Sequence, residues 1–156
     1  MNLDLVREVI AGDAEMTDLL DDEESIFFVD WREEDTAVVE YCEDILETGS
    51  LSAEDVDADN DAGFEMFIKY KERRLKVPLE IGGQDRHITL VSLNEVLAPD
   101  AEVRLCIDSS GSDTLAFLPL SSAVWRELED EFGEAVAAKF YRLQAKPNVF
   151  TDELPF

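Results

Sequence analysis

One segment, FEMFIKYKERRLKVPLEI from Phe64 to Ile81, constrains the fold more than any other. Phe64, Met66, Ile68 and Tyr70 form one apolar row and Leu75, Val77, Leu79 and Ile81 another, each alternating with other side chains. That period of two belongs to strands with one buried face. The two rows therefore predict a β-hairpin. A reversal around Glu72 and Arg73 sets Tyr70 opposite Leu75, Ile68 opposite Val77, Met66 opposite Leu79 and Phe64 opposite Ile81. The tip and the other face carry Lys69, Lys71, Arg73, Arg74 and Lys76, with Lys69 facing Lys76. Like charges placed opposite one another cost stability. The patch is thus expected either to be neutralised by Asp55 to Asp61 or the acids of the helix after Trp31, or to form a second site for an acidic partner.

The rest of the chain supplies elements to pack on this hairpin. Leu3, Val6 and Ile10 recur at helical spacing before Gly12, and Met16, Leu19 and Leu20 extend the pattern by a turn or two. The run Ile26–Val29 is short, β-branched and aromatic, which predicts a strand. Val38, Cys42, Ile45 and Leu46 mark a helix over Glu33–Glu47, with acids in its first turn where the helix dipole favours them and Gly49 behind it. Residues 51–62 are read as an acidic loop. After Gly82 and Gly83, the stretch Thr89–Ala98 fits either a helix or a strand HITLV with a following helical turn. Val103, Leu105 and Ile107 alternate up to DSSGSD, and Leu115–Leu118 return as the second arm of another hairpin, with Asp108 and Asp113 capping the turn. A helix capped by Ser121 or Ser122 then buries Val124, Trp125, Leu128 and Phe132, and after Gly133 a last helix carries Val136, Phe140 and Leu143. Residues 145–156 are an irregular tail. Together these predict a single α+β domain over residues 1–156: an antiparallel sheet built from two β-hairpins plus one further strand, with helices packed on one face.

Charge restricts the partners. Residues 1–62 hold 22 Asp and Glu against Arg7 and Arg32, a net of −20, and residues 63–156 hold 16 against 11, a net of −5, which together give the chain's −25. Such a field repels nucleic acid and anionic membrane and attracts basic proteins. The chain is 46% hydrophobic with nine Phe, enough to build a core, so its charge does not imply disorder. The amino terminus shows no basic region followed by an apolar stretch, and no run of about 18 apolar residues occurs. A cytoplasmic location is expected.

Chemistry-bearing motifs are few. The alternating Asp55, Asp57, Asp59 and Asp61 suggest calcium, but a frame begun at Asp57 puts Ala62 where the loop glycine belongs and Ile68 where a bidentate Glu belongs, and a frame begun at Asp55 fails likewise. His87 is the only histidine, and no nucleophile or orienting acid can be named beside it. Cys42 and Cys106 lie in apolar segments, which predicts inert core thiols. No catalytic residue, metal or cofactor is assigned. The binding candidates are Asp21, Asp22, Glu23 and Glu24; Trp31 with Glu33 and Glu34; and Asp55, Asp57 and Asp59.

In size, acidity, the missing leader and the missing active site, the chain resembles the small acidic immunity proteins that bacteria keep against their own secreted toxins. The resemblance implies a non-catalytic protein that neutralises a basic toxin domain in a one-to-one complex. The alternative is a small enzyme or ligand-binding domain with a pocket beside the sheet.

Overall fold

A computed structural model describes residues 1–79 and 85–156. Ile81, which the hairpin reading sets against Phe64, and the Gly82–Gly83 break lie outside the described residues. The helices are α1 (Leu3–Ala11), α2 (Met16–Leu20), α3 (Asp35–Leu46), α4 (Arg86–Leu97), α5 (Ser122–Phe132) and α6 (Glu134–Lys139). The strands are β1 (Phe27–Asp30), β2 (Ser52–Asp57), β3 (Phe64–Tyr70), β4 (Arg73–Lys76), β5 (Ala101–Cys106), β6 (Thr114–Ser121) and β7 (Phe140–Arg142). Every strand pairing is antiparallel. The fold is α+β, and its strands divide into a four-stranded sheet, β1-β6-β5-β7, and a three-stranded sheet, β2-β3-β4.

Helices α3 and α4 lie between the two sheets. α3 packs on β1 and β6 on one side and β2 on the other, and α4 on β5 on one side and β3 and β4 on the other. Their Val38, Val39, Cys42, Leu90, Leu93 and Leu97 join Met66, Ile68 and Tyr70 from the small sheet and Val29, Val103, Leu105 and Phe117 from the large one in a single core. The opposite face of the large sheet buries Ala116, Leu118 and Leu120 beneath Val6, Leu19, Trp125, Leu128 and Val136 of α1, α2, α5 and α6. Helices on a single face of a single sheet are thus replaced by four layers, sheet–helix–sheet–helix, in which the large sheet is covered on both sides. That explains the unbroken apolar run of β6, since a strand covered on both faces needs no alternation.

The hairpin keeps its predicted faces but not its predicted partners. Tyr70 pairs with Arg73, Lys69 with Arg74, Ile68 with Leu75 and Phe67 with Lys76. The reversal occupies Lys71 and Glu72 alone, with Lys71 in the left-handed region at φ 54°. Two-residue connections match strand twist best. The slip is two residues, an even number, so Ile68, Tyr70, Leu75 and Val77 still share one face.

Three further expectations change, and one left open is settled. Residues 51–62 are not wholly loop: Leu51 is buried and Ser52–Asp57 form an edge strand pairing with β3 from Ser52↔Lys69 to Asp57↔Phe64. An edge strand rich in acids resists pairing with other chains. The final helix ends at Lys139, and Phe140 begins β7, its backbone opposite Cys106. The stretch Thr89–Ala98 is resolved as helix as far as Leu97: Asp85 Oδ1 accepts the Ile88 N–H at 3.0 Å and so caps α4, and Leu90, Leu93 and Leu97 are buried along it. In the β5–β6 turn the bonds come from serine, not aspartate, with Ser109 Oγ donating to the Cys106 carbonyl at 2.7 Å and accepting the Ala116 N–H at 2.9 Å.

His87 ties the tail to this frame. Its ring is buried; Nδ1 accepts the Val149 N–H at 3.4 Å, so Nε2 carries the proton and donates to the Gln144 carbonyl at 2.7 Å. Residues 145–156 hold no helix or strand, yet Val149 is buried and Phe150 lies 6.2 Å from the Phe117 ring. Among the described residues no helix is long and apolar enough to cross a membrane.

Asp35 opens α3 inside the core, where its carboxylate accepts from Thr89 Oγ1 at 2.9 Å and the Asp85 N–H at 3.2 Å. Burial nevertheless raises its carboxyl above 3.8. A carboxyl raised by folding holds its proton more readily in the folded state, so its contribution to stability grows as pH falls from neutrality through the raised value towards 3.8 and is lost as pH rises again. As pH falls from neutrality towards 3.8, the wild-type melting temperature is expected to gain relative to that of Asp35→Asn. Identical profiles for the two proteins would contradict the assignment.

Candidate functional site

The charged groups separate into two sets. Most cations are engaged within the fold. Glu54 on β2 receives Lys69 at 3.3 Å and Arg74 at 3.0 Å, Glu65 receives Lys76 at 2.9 Å, and Asp100 receives Lys71 at 2.6 Å together with the Tyr70 hydroxyl at 2.8 Å. Arg73 donates to the Ala98 carbonyl, and Arg74 lies 3.7 Å over the Phe67 ring. Arg74, then Lys69, hold the Glu54 carboxyl below its ordinary value, and Lys71, then Tyr70, do the same for Asp100. The basic patch is neutralised from within, but by Glu54, Glu65 and Asp100. Neither Asp55 to Asp61 nor the acids of α3 contribute to these pairs. Arg7 pairs with Glu127 and Glu131.

The second set is acidic and uncompensated. Among the described residues Asp21, Asp22, Glu23, Glu24, Glu33, Glu34, Asp55, Asp57 and Asp59 form no ion pair. The packing of α3 on β2 brings part of this set together. Asp55 and Asp57 project from the face of β2 that points towards α3, opposite Met66 and Phe64. Partial burial, and after it the charge of Glu34, raises the Asp55 carboxyl. Glu33 accepts the Tyr41 hydroxyl at 3.1 Å, a bond that raises that hydroxyl's pKa. Trp31, just before them, is 51% exposed, with the Arg32 guanidinium 5.1 Å from its ring and Arg32 Nε 3.6 Å from Asp30. Asp59 belongs to the connection that follows β2.

Asp21 to Glu24 stand apart from this group. They precede β1 while Trp31 follows it, and four strand residues span roughly 13 Å. Asp22 is occupied locally, accepting from Ser25 Oγ at 2.7 Å and the Glu24 N–H at 3.2 Å.

The sequence reading missed a polar cluster. It placed Val103, Leu105 and Ile107 inward, which leaves Arg104 on a solvent face. Because α5 covers that face, Arg104 is only 2% exposed. Its Nη2 donates to Glu102 at 3.1 Å and Glu129 at 3.2 Å, and its guanidinium lies 4.1 Å over the Trp125 ring. Trp125 Nε1 in turn donates to the Glu102 carbonyl at 2.9 Å, and Arg142 Nε meets the other Glu102 oxygen at 3.0 Å. These groups border an open cleft of about 840 Å³ between α4, β5, α5 and β7. A glutamate and an arginine two residues apart, on one face of a strand whose other face is apolar, were the available signal.

Cys42 and Cys106 are buried, and burial raises both thiols, which makes them poor nucleophiles. Among the described residues no three His, Cys, Asp or Glu side chains converge as metal ligands. Compared with known proteins, the chain matches no family model, no curated protein and no solved structure.

Proposed function

We propose that the protein is a binding protein without catalytic activity, whose face around Trp31, Glu33, Glu34, Asp55 and Asp57 docks a basic protein in a one-to-one complex, as an immunity protein docks its toxin. The observation that carries the reading is the division of charge: the hairpin's cations are satisfied by Glu54, Glu65 and Asp100, while Glu33, Glu34, Asp55 and Asp57 have no counter-ion among the described residues. A basic partner supplies that counter-charge, and the field raises its association rate. A half-exposed tryptophan supplies the apolar anchor that interfaces use. Asp21 to Glu24 steer the approach from the other end of β1.

Binding kinetics test this division of labour. Lysines at Asp21, Glu23 and Glu24, with Asp22 kept because it holds Ser25, are expected to slow association by about tenfold at low salt and flatten its salt dependence, with the melting temperature nearly unchanged, because exposed charges contribute little to folding. Trp31→Ala is expected to speed dissociation instead. An unchanged association rate in the first variant excludes that cluster from steering.

A further inference from the structure

We propose that the cleft beneath α5 is a second, separate binding site, for a small zwitterion with the free amino and carboxyl groups of an amino acid. The argument begins at Arg104. A guanidinium offers five N–H donors. Arg104 is nine-tenths buried, yet both of its hydrogen bonds leave from Nη2, and Nε has no partner. Trp125 holds the guanidinium plane in place from one side. Nε is sealed within the fold, but Nη1 also makes no hydrogen bond among the described residues and is not sealed, and a ligand bound in the adjoining cleft would use it.

The cleft's remaining charges say what kind of ligand. Arg104, Arg126 and Arg142 line it together with Glu95, Glu102 and Glu129, three charges of each sign in a chain of net −25. Arg142 and Glu102 satisfy each other, and Glu129 answers Arg104. Arg126 on α5 makes only a 3.5 Å bond to the Ser122 carbonyl, and Glu95 on α4 forms no ion pair among the described residues. Two exposed and oppositely charged side chains, one from each flanking helix, thus border a cleft floored by a guanidinium. A carboxylate suits the arginine side and an ammonium suits Glu95, whereas a plain anion or cation would leave one of them unanswered. A volume of about 840 Å³ admits an amino acid or a short peptide.

The test is titration of the intact protein with each of the twenty free L-amino acids and with glycyl-glycine, following the side-chain N–H resonances of Arg104, Arg126, Arg142 and Trp125 by NMR. At least one free amino acid, or the dipeptide, is expected to shift them saturably. Acetylating its amine or amidating its carboxylate should weaken binding at least tenfold. Arg126→Gln and Glu95→Gln should each weaken it at least fivefold while leaving the amide spectrum of the core unchanged. Saturation by the dipeptide alone would identify peptide termini as the source. Absence of saturable shifts with every compound, or equal binding by the blocked derivatives, overturns the proposal. Neither outcome bears on the acidic face.

Discussion

Ile68→Asp is expected to abolish the cooperative unfolding transition. Ile68 is fully buried at the centre of β3, flanked by Ala53 and Leu75 on the neighbouring strands, and its face of the small sheet packs on α3 and α4. An ionised carboxylate there has no partner and loses its hydration, at a cost of several kcal/mol, and a domain stable by about 5–15 kcal/mol has little to spare. Ile68→Val keeps the shape and the apolar character and is expected to cost only about 0.5–1.5 kcal/mol. Circular dichroism and thermal melts separate the two. A folded Ile68→Asp protein melting like the wild type would contradict the burial of this strand between its neighbours and the central helices.

Arg104→Ala is the second large effect. It removes the shared donor of Glu102 and Glu129 and the group stacked on Trp125, leaving Glu102, whose side chain is 18% exposed, with Arg142 alone. Deleting one partner of a fully buried pair costs about 3–5 kcal/mol; here Glu129 is 43% exposed and Glu102 keeps Arg142, so the lower end, about 3 kcal/mol, is expected. For a domain of this size that lowers the melting temperature by on the order of 10 °C. Arg104→Met combined with Glu102→Gln and Glu129→Gln removes the charges together and is expected to recover most of the loss, since an apolar group of similar length fills the space without stranding a carboxylate. If the single and triple variants melt alike, the cost lies in packing against Trp125 and not in the uncompensated acids.

How far the sequence disclosed this structure depends on which force fixes each part. Alternation in Phe64–Tyr70 fixes faces, and the faces are right; it does not fix the turn, and a two-residue slip passes unseen because it leaves every side chain on its own side. Ser52–Asp57 escaped notice because five of its six residues are small or acidic, and only pairing with β3 makes it a strand. Phe140 sits four residues after Val136, a helical spacing that the pairing of β7 with β5 overrides. The HITLV stretch is β-branched enough to read either way, and the Asp85 cap and the buried leucines decide for helix. Period alone says which face is apolar but not what covers it, so one sheet with helices on one face became two sheets and four layers.

The candidate sites follow the same logic. Net charge was legible, and so was internal neutralisation of the basic patch as one of two outcomes; Trp31 was named as a candidate, but its exposure was not legible. Which acids perform it was not, because Glu54, Glu65 and Asp100 reach the patch through strand pairing and the end of α4. The convergence of Glu34 and Asp55 likewise depends on α3 packing against β2. The Arg104 cluster depends on α5 covering a face that the strand pattern assigned to solvent.

The central claim, that the carboxylates around Trp31 form the docking face for a basic partner, is tested most directly by affinity purification from cells that naturally produce the protein. The comparison is between tagged wild type and a variant carrying Glu33→Lys, Glu34→Lys and Asp55→Lys, with circular dichroism confirming that both are folded. The account predicts one basic protein in stoichiometric amount with the wild type and its loss with the variant. Recovery of the same partner in equal amount with both proteins would contradict it, as would a wild type that elutes alone.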